Sequence, residues 1–150
     1  MKSVSRSIAM AALFAAASAA YGQTTVKDAW VRGTVAQQQA SGAFMQITSA
    51  KGARLLSVST PVAGVAEVHE MTMEGNTMHM RAVPSLELPA GQAVELKPGG
   101  YHLMLMDLKQ QLKAGDTVRL NLLLEGKDGK RETLEVQAPV RALGAPEPKH

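Results

Sequence analysis

From Thr25 onward the chain is a succession of short runs in which apolar and polar residues alternate, each closed by turn-forming residues. No stretch of helix length carries an amphipathic repeat of 3.6 residues. That pattern restricts the fold more than any other feature. Strands are expected near Thr25 to Arg32, Ala43 to Thr48, Arg54 to Ser59, Val65 to Met73, Met78 to Val83, Ala93 to Leu96, Tyr101 to Met106, Thr117 to Leu124 and Thr133 to Gln137. Between them stand Ser41-Gly42, Lys51-Gly52, Gly75-Asn76, Ala90-Gly91, Pro98-Gly99-Gly100, Gly115-Asp116 and Asp128-Gly129. Val35 to Ala40, between Gly33 and Gly42, is read as a loop. Many short, evenly spaced strands predict an all-β domain, a small barrel or a sandwich.

The chain does not start with this pattern. Lys2 and Arg6 precede an apolar run from Ile8 to Ala20 that ends in small residues, the three parts of a secretory signal peptide. The run is short for a membrane span. Cleavage is expected after Gly22, with Ala19 as the alternative boundary. The organisation is then a signal peptide (1–22), one β domain (23–142) and a loose, proline-containing tail (143–150). Removing Lys2 and Arg6 from 16 basic residues leaves 14 against 13 acidic ones, a formal charge of +1, with no basic block to suit nucleic acid. An exported chain with no cysteine must be held by its core. The same zero excludes thiol nucleophiles, CxxC redox chemistry and the cysteine-ligated blue-copper site.

Methionine is used instead. Of the 9 methionines, Met1 and Met10 lie in the signal segment; six of the remaining seven, with three of the 4 histidines, fall between residues 69 and 106. Strand alternation puts Glu67, His69, Met71 and Met73 on one side. If Gly75-Asn76 centres a two-residue hairpin, Glu74 faces Thr77, Met73 faces Met78 and Met71 faces Met80. His79 then lies on the opposite face, and a slip of one residue would exchange it for Met80. In Tyr101 to Met106, alternation aims His102, Met104 and Met106 one way and the leucines the other. His102 and Met104, at i and i+2, can serve one ion. Imidazole nitrogen with thioether sulfur is a soft, largely neutral set suited to Cu(I), and Ag(I) is soft enough to use it as well. Two readings stand side by side here: a soft-metal site, and methionines that merely fill irregular packing beside hydrogen-bonded histidines. Met106, beyond the HxM pair, is assigned to packing, and Trp30 to the core near the first strand. Asp28, Asp107 and Asp116 sit near strand ends or turns, where solvation or local hydrogen bonding suits them better than acid–base work. Without a serine nucleophile motif, phosphate loop or HExxH, an enzyme is not expected.

His69, ten residues, Met80, twenty-one residues, then His102-Leu103-Met104 resembles the signature of the periplasmic copper chaperones called PCu(A)C. The neighbouring Val68-His69-Glu70-Met71, Met78-His79-Met80-Arg81, Leu96-Lys97-Pro98-Gly99-Gly100-Tyr101-His102 and Asp28-Ala29-Trp30-Val31-Arg32 are also similar to that family. Ala36, Gln37 and Ser49 depart from its scaffold pattern. The resemblance implies a cupredoxin-like Greek-key barrel with His69, Met80, His102 and Met104 as Cu(I) ligands. It implies a periplasmic carrier for the dinuclear copper centre of cytochrome c oxidase, with subunit II or another oxidase assembly factor as acceptor. Met71, Met73 and Met78 would line the rim, and Glu70 would orient a histidine or be a solvated edge carboxylate. Two other classes compete with delivery. One is a β-sandwich binding or assembly module using the methionines as a recognition face. The other is an electron-transfer cupredoxin, disfavoured by the missing cysteine.

Overall fold

The computed structural model describes residues 20–21 and 24–142. The expectations for the rest of the signal segment and for the tail from 143 onward lie outside the described residues. The strands are β1 (Ala20–Tyr21), β2 (Thr24–Arg32), β3 (Ala40–Ser49), β4 (Ala53–Ser59), β5 (Ala63–Glu74), β6 (Thr77–Ala82), β7 (Leu86–Leu88), β8 (Ala93–Leu96), β9 (His102–Leu108), β10 (Thr117–Gly126) and β11 (Arg131–Arg141). Each of the nine expected strands is present, and Val35 to Gln39 is a loop. Sequence reading misses β7, whose three residues between Pro84 and Pro89 are too few to show an alternation. It also truncates β11. Arg131 and Glu132 are polar, but both pair with β10 in an unbroken register from Glu125↔Arg131 to Thr117↔Pro139, so backbone pairing extends the strand where side chains do not announce it.

The strands form one path, β6-β5-β9-β3-β2-β11-β10-β4-β7, with β1 pairing β2 and β8 pairing β3. The neighbours are antiparallel except β2 and β11, which run parallel through Val31↔Val140 and Arg32↔Arg141. Among the described residues the path is not closed by hydrogen bonds: β6 is one edge and β7 the other. It folds over on itself, so that Val68 of β5 and Leu55 of β4 share one apolar cluster with Leu103, Leu105, Leu120, Leu122 and Val136. In β10, Val118, Leu120, Leu122 and Leu124 are buried at period two. Trp30 is buried, 5% exposed, but outside that cluster: on the face of β2 opposite Val31 its ring lies 4.6 Å from that of Phe44, with the Arg141 guanidinium 5.5 Å from its centroid. Asp28 is not at a strand end: it takes φ 55 inside β2, where the pairing with β3 shifts register between Lys27 and Trp30.

Two features carry the chain outward from this core. β5 pairs with β9 from Ala63 to His69 but with β6 alone from Glu70 to Glu74, so the end of β5 and all of β6 form a two-stranded arm. The arm turns at Gly75-Asn76, where only Gly75 has positive φ, 62°, as a type II′ turn requires. The second feature is Lys97-Pro98-Gly99-Gly100. Proline presets φ at the second position, Gly99 takes φ 84, and the Gly100 N–H donates to the Lys97 carbonyl at 3.1 Å, a type II turn that delivers β9 beside β5.

Candidate metal centre

The two long-range spacings of the sequence meet on the β5–β9 ladder. His69 and His102 are direct cross-strand partners, and so are Glu67 and Met104. Directly opposed residues point to the same face, so these four side chains form the corners of one patch. The intervening residues Val68 and Leu103 point into the core, Leu103 with 0% exposure. Alternation therefore uses the same two strands twice, to pack the core and to present donors on the outer face.

Each imidazole is held by a different device. The Nδ1–H of His102 donates to the carbonyl of Gly100 at 2.8 Å, fixing the ring with Nε2 as its lone-pair nitrogen. His102 is 6% exposed, so little freedom remains to it. In His69 the roles are reversed. Its Nε2 lies 3.0 Å from the Glu67 carboxylate, which places the proton on Nε2 and the lone pair on Nδ1. That Nδ1 is buried and has no hydrogen-bond partner among the described residues. A buried, unpartnered acceptor costs about 1–3 kcal/mol and calls for a reason. The ring centroids of the two histidines are 6.2 Å apart and tilted by 56°. With imidazole–metal bonds of about 2 Å a bound ion lies about 3 Å from each ring centroid, so that separation spans one ion when the two lone-pair nitrogens face each other.

The structure gathers His69, His102 and Met104. Met80 stands one row farther out: it opposes Met71 on the arm, diagonal to His69 and two strands from His102. The hairpin register is the expected one, Glu74↔Thr77, Met73↔Met78 and Met71↔Met80, with His79 opposite Thr72 on the other face. Met106 sits on the outer side of β9, partly exposed, opposite Val65 and Ala40.

Glu70 requires a correction. It does not orient a histidine; it accepts from Arg81 at 2.6 Å on the face opposite His69. Glu67 occupies the orienting position, and the signal was available: at i−2 from His69 it shares that face, whereas Glu70 at i+1 cannot. Among the described residues no three His, Asp or Glu side chains are gathered closely enough to hold an ion by themselves. A metal here has to draw on thioether sulfur, which selects soft ions.

The all-β fold carries imidazoles and a thioether on one face of the β5–β9 ladder, and comparison with known proteins gives its family and its cupredoxin-like class. Residues 24–140 match the family model described as "Putative lipoprotein LpqE-like", which is the PCuAC family; the chain belongs to it. The "Putative lipoprotein Lxx21020" of Leifsonia xyli subsp. xyli is 31% identical over 117 residues, 77% of this chain and 68% of that protein. The solution structure of apo-DR1885 from Deinococcus radiodurans is 31% identical, with a TM-score of 0.59 over 95% of this chain and 97% of that one. The copper-bound PCuAC domain from PmoF2 is 19% identical, with a TM-score of 0.64 over 82% of this chain and 96% of that domain, and so speaks to the fold.

Proposed function

We propose that this protein is a Cu(I) carrier in the periplasm. The observation that carries the reading is the buried, unpartnered Nδ1 of His69 beside a second oriented imidazole. Cu(I) is its cargo, held by His69 through Nδ1, His102 through Nε2 and the sulfur of Met104, with Met80 closing over the ion from the arm. A relative supports the choice of metal: the solution structure of CuI-DR1885 from Deinococcus radiodurans, which is 34% identical over 75% of this chain and 74% of that one with a TM-score of 0.56. The thioethers bind without losing a proton, and the outward position permits exchange with an acceptor. The motif resemblance directs delivery to the dinuclear centre of cytochrome c oxidase, through subunit II or an assembly factor.

Export follows from the basic start and apolar run, in keeping with relatives described as lipoproteins. Export is assigned to cleavage after Gly22, behind the small residues Ala20 and Gly22. Mass spectrometry of the exported protein should find Gln23 first; retention of the apolar run defeats this.

Anaerobic Cu(I) titration against a competing chelator tests the carrier. His69→Ala, His102→Ala and Met104→Leu should each weaken binding, and X-ray absorption should show nitrogen and sulfur around copper. A folded protein that binds no Cu(I), or a first shell without sulfur, overturns the reading.

A further inference from the structure

The site proposed above leaves three methionines without a task. Met71 opposes Met80 and Met73 opposes Met78, all on one face of the arm. Direct cross-strand partners stand about 5 Å apart and i, i+2 neighbours about 7 Å apart, so the four side chains rise from a rectangle whose centre is about 4 Å from each corner. Four flexible thioethers at that spacing can converge on a single ion.

These side chains are not core. Met73 is 61% exposed, Met78 53% and Met80 49%, and every residue of β6 is exposed. The opposite face of the arm is polar: Glu70 pairs with Arg81, the Thr72 hydroxyl donates to the His79 carbonyl at 3.4 Å, and Glu74 lies 3.7 Å from His79. The arm thus separates a purely thioether face from a charged one. Oxygen-seeking cations find no ligand on the thioether face, and zinc lacks its imidazole, thiolate or carboxylate there, whereas Cu(I) and Ag(I) are matched.

We propose that Met71, Met73, Met78 and Met80 form a second soft-metal site, distinct from the histidine patch and sharing Met80 with it. The row Met71–Met80 follows the row of His69 after one i+2 step, so the second site lies on the outward approach to the first. Cu(I) entering or leaving over the hairpin exchanges thioether for thioether until the imidazoles take it. Only ligands exchange; no electron or proton moves. The chain then holds two soft ions, an outer one bound by sulfur alone and an inner one bound by nitrogen and sulfur, and Met80 serves one of them at a time.

The test uses Ag(I), which is not redox-active here, and the protein labelled at its methionine methyl carbons. In His69→Asn/His102→Asn, one equivalent of Ag(I) should shift the methyl resonances of Met71, Met73, Met78 and Met80 and leave the buried Met45 unmoved. The wild-type protein should saturate at two equivalents, and Met71→Leu/Met73→Leu/Met78→Leu at one. Leucine is close in volume and these positions are exposed or half-buried, so the triple variant retains the core. Arm resonances that stay still in the His69→Asn/His102→Asn variant overturn the proposal, as does an unchanged stoichiometry in the triple variant. Loss of the inner site alone leaves the arm shifts intact, so the two readings fail separately.

Discussion

At the scale of single residues, the two histidines are prepared in opposite senses. His102 is locked by a backbone carbonyl that the Gly100 turn supplies, and His69 by a carboxylate two residues away on its own strand. A carboxylate behind a ligating imidazole fixes the tautomer and raises basicity, and its loss typically weakens metal binding about 10–100-fold. Glu67→Ala should show that loss in a Cu(I) competition titration, with the fold unchanged by circular dichroism. Glu70→Ala removes only an exposed ion pair to Arg81, so its copper affinity should stay within about threefold of the parent. Equal effects of the two substitutions would mean that Glu67 does not act through His69. Met104→Leu should cost more affinity than Met80→Leu, because Met104 shares the histidine patch and Met80 stands a row away.

At the scale of the element, the arm is the part of the sheet with least support. Past His69 it is a two-stranded ribbon, and such ribbons are marginal by themselves. This gives Met80 the freedom to approach an ion bound on the β5–β9 ladder, and makes the hairpin the first region to open. Its turn depends on Gly75 at φ 62, a conformation that costs a residue with a β-carbon about 1–2 kcal/mol. Gly75→Val should therefore raise hydrogen exchange of the arm amides by about 5–30-fold, the population change that such an energy represents. Exchange at Leu103 and Leu105, both 0% exposed in the core, should not change. Uniform acceleration through the sheet would show that the arm and the core open together.

At the scale of the whole molecule, β5 and β9 separate stability from chemistry by putting them on opposite faces. Leu122 of β10 is 0% exposed and belongs to the apolar cluster that joins both ends of the strand path. Leu122→Ala should destabilise the protein by about 2–5 kcal/mol in urea unfolding. Its Cu(I) affinity, measured well below the transition, should match the parent. Cu(I) at a free concentration of 100 times Kd should stabilise parent and variant alike by about 2.7 kcal/mol per site. A copper-induced gain that shrinks in the variant would show that core and site are coupled.

The alternation of apolar and polar residues determined the strands, the Gly75-Asn76 hairpin and its register, because period two and turn chemistry are local properties that the chain carries by itself. The same local rule put His69 with Glu67, and His102 with Met104. Spacing along the sequence could not show that His69 stands directly across from His102, since that pairing joins segments separated by the whole of β6, β7 and β8 and is set by how the apolar faces of β5 and β9 pack together. Nor could it show that β7 exists or that β11 extends to Arg131, because backbone pairing decides these after the sheet forms. The orphaned Nδ1 of His69 is tertiary in the same sense: a nitrogen is buried and unpartnered only once the neighbouring strands have closed around it.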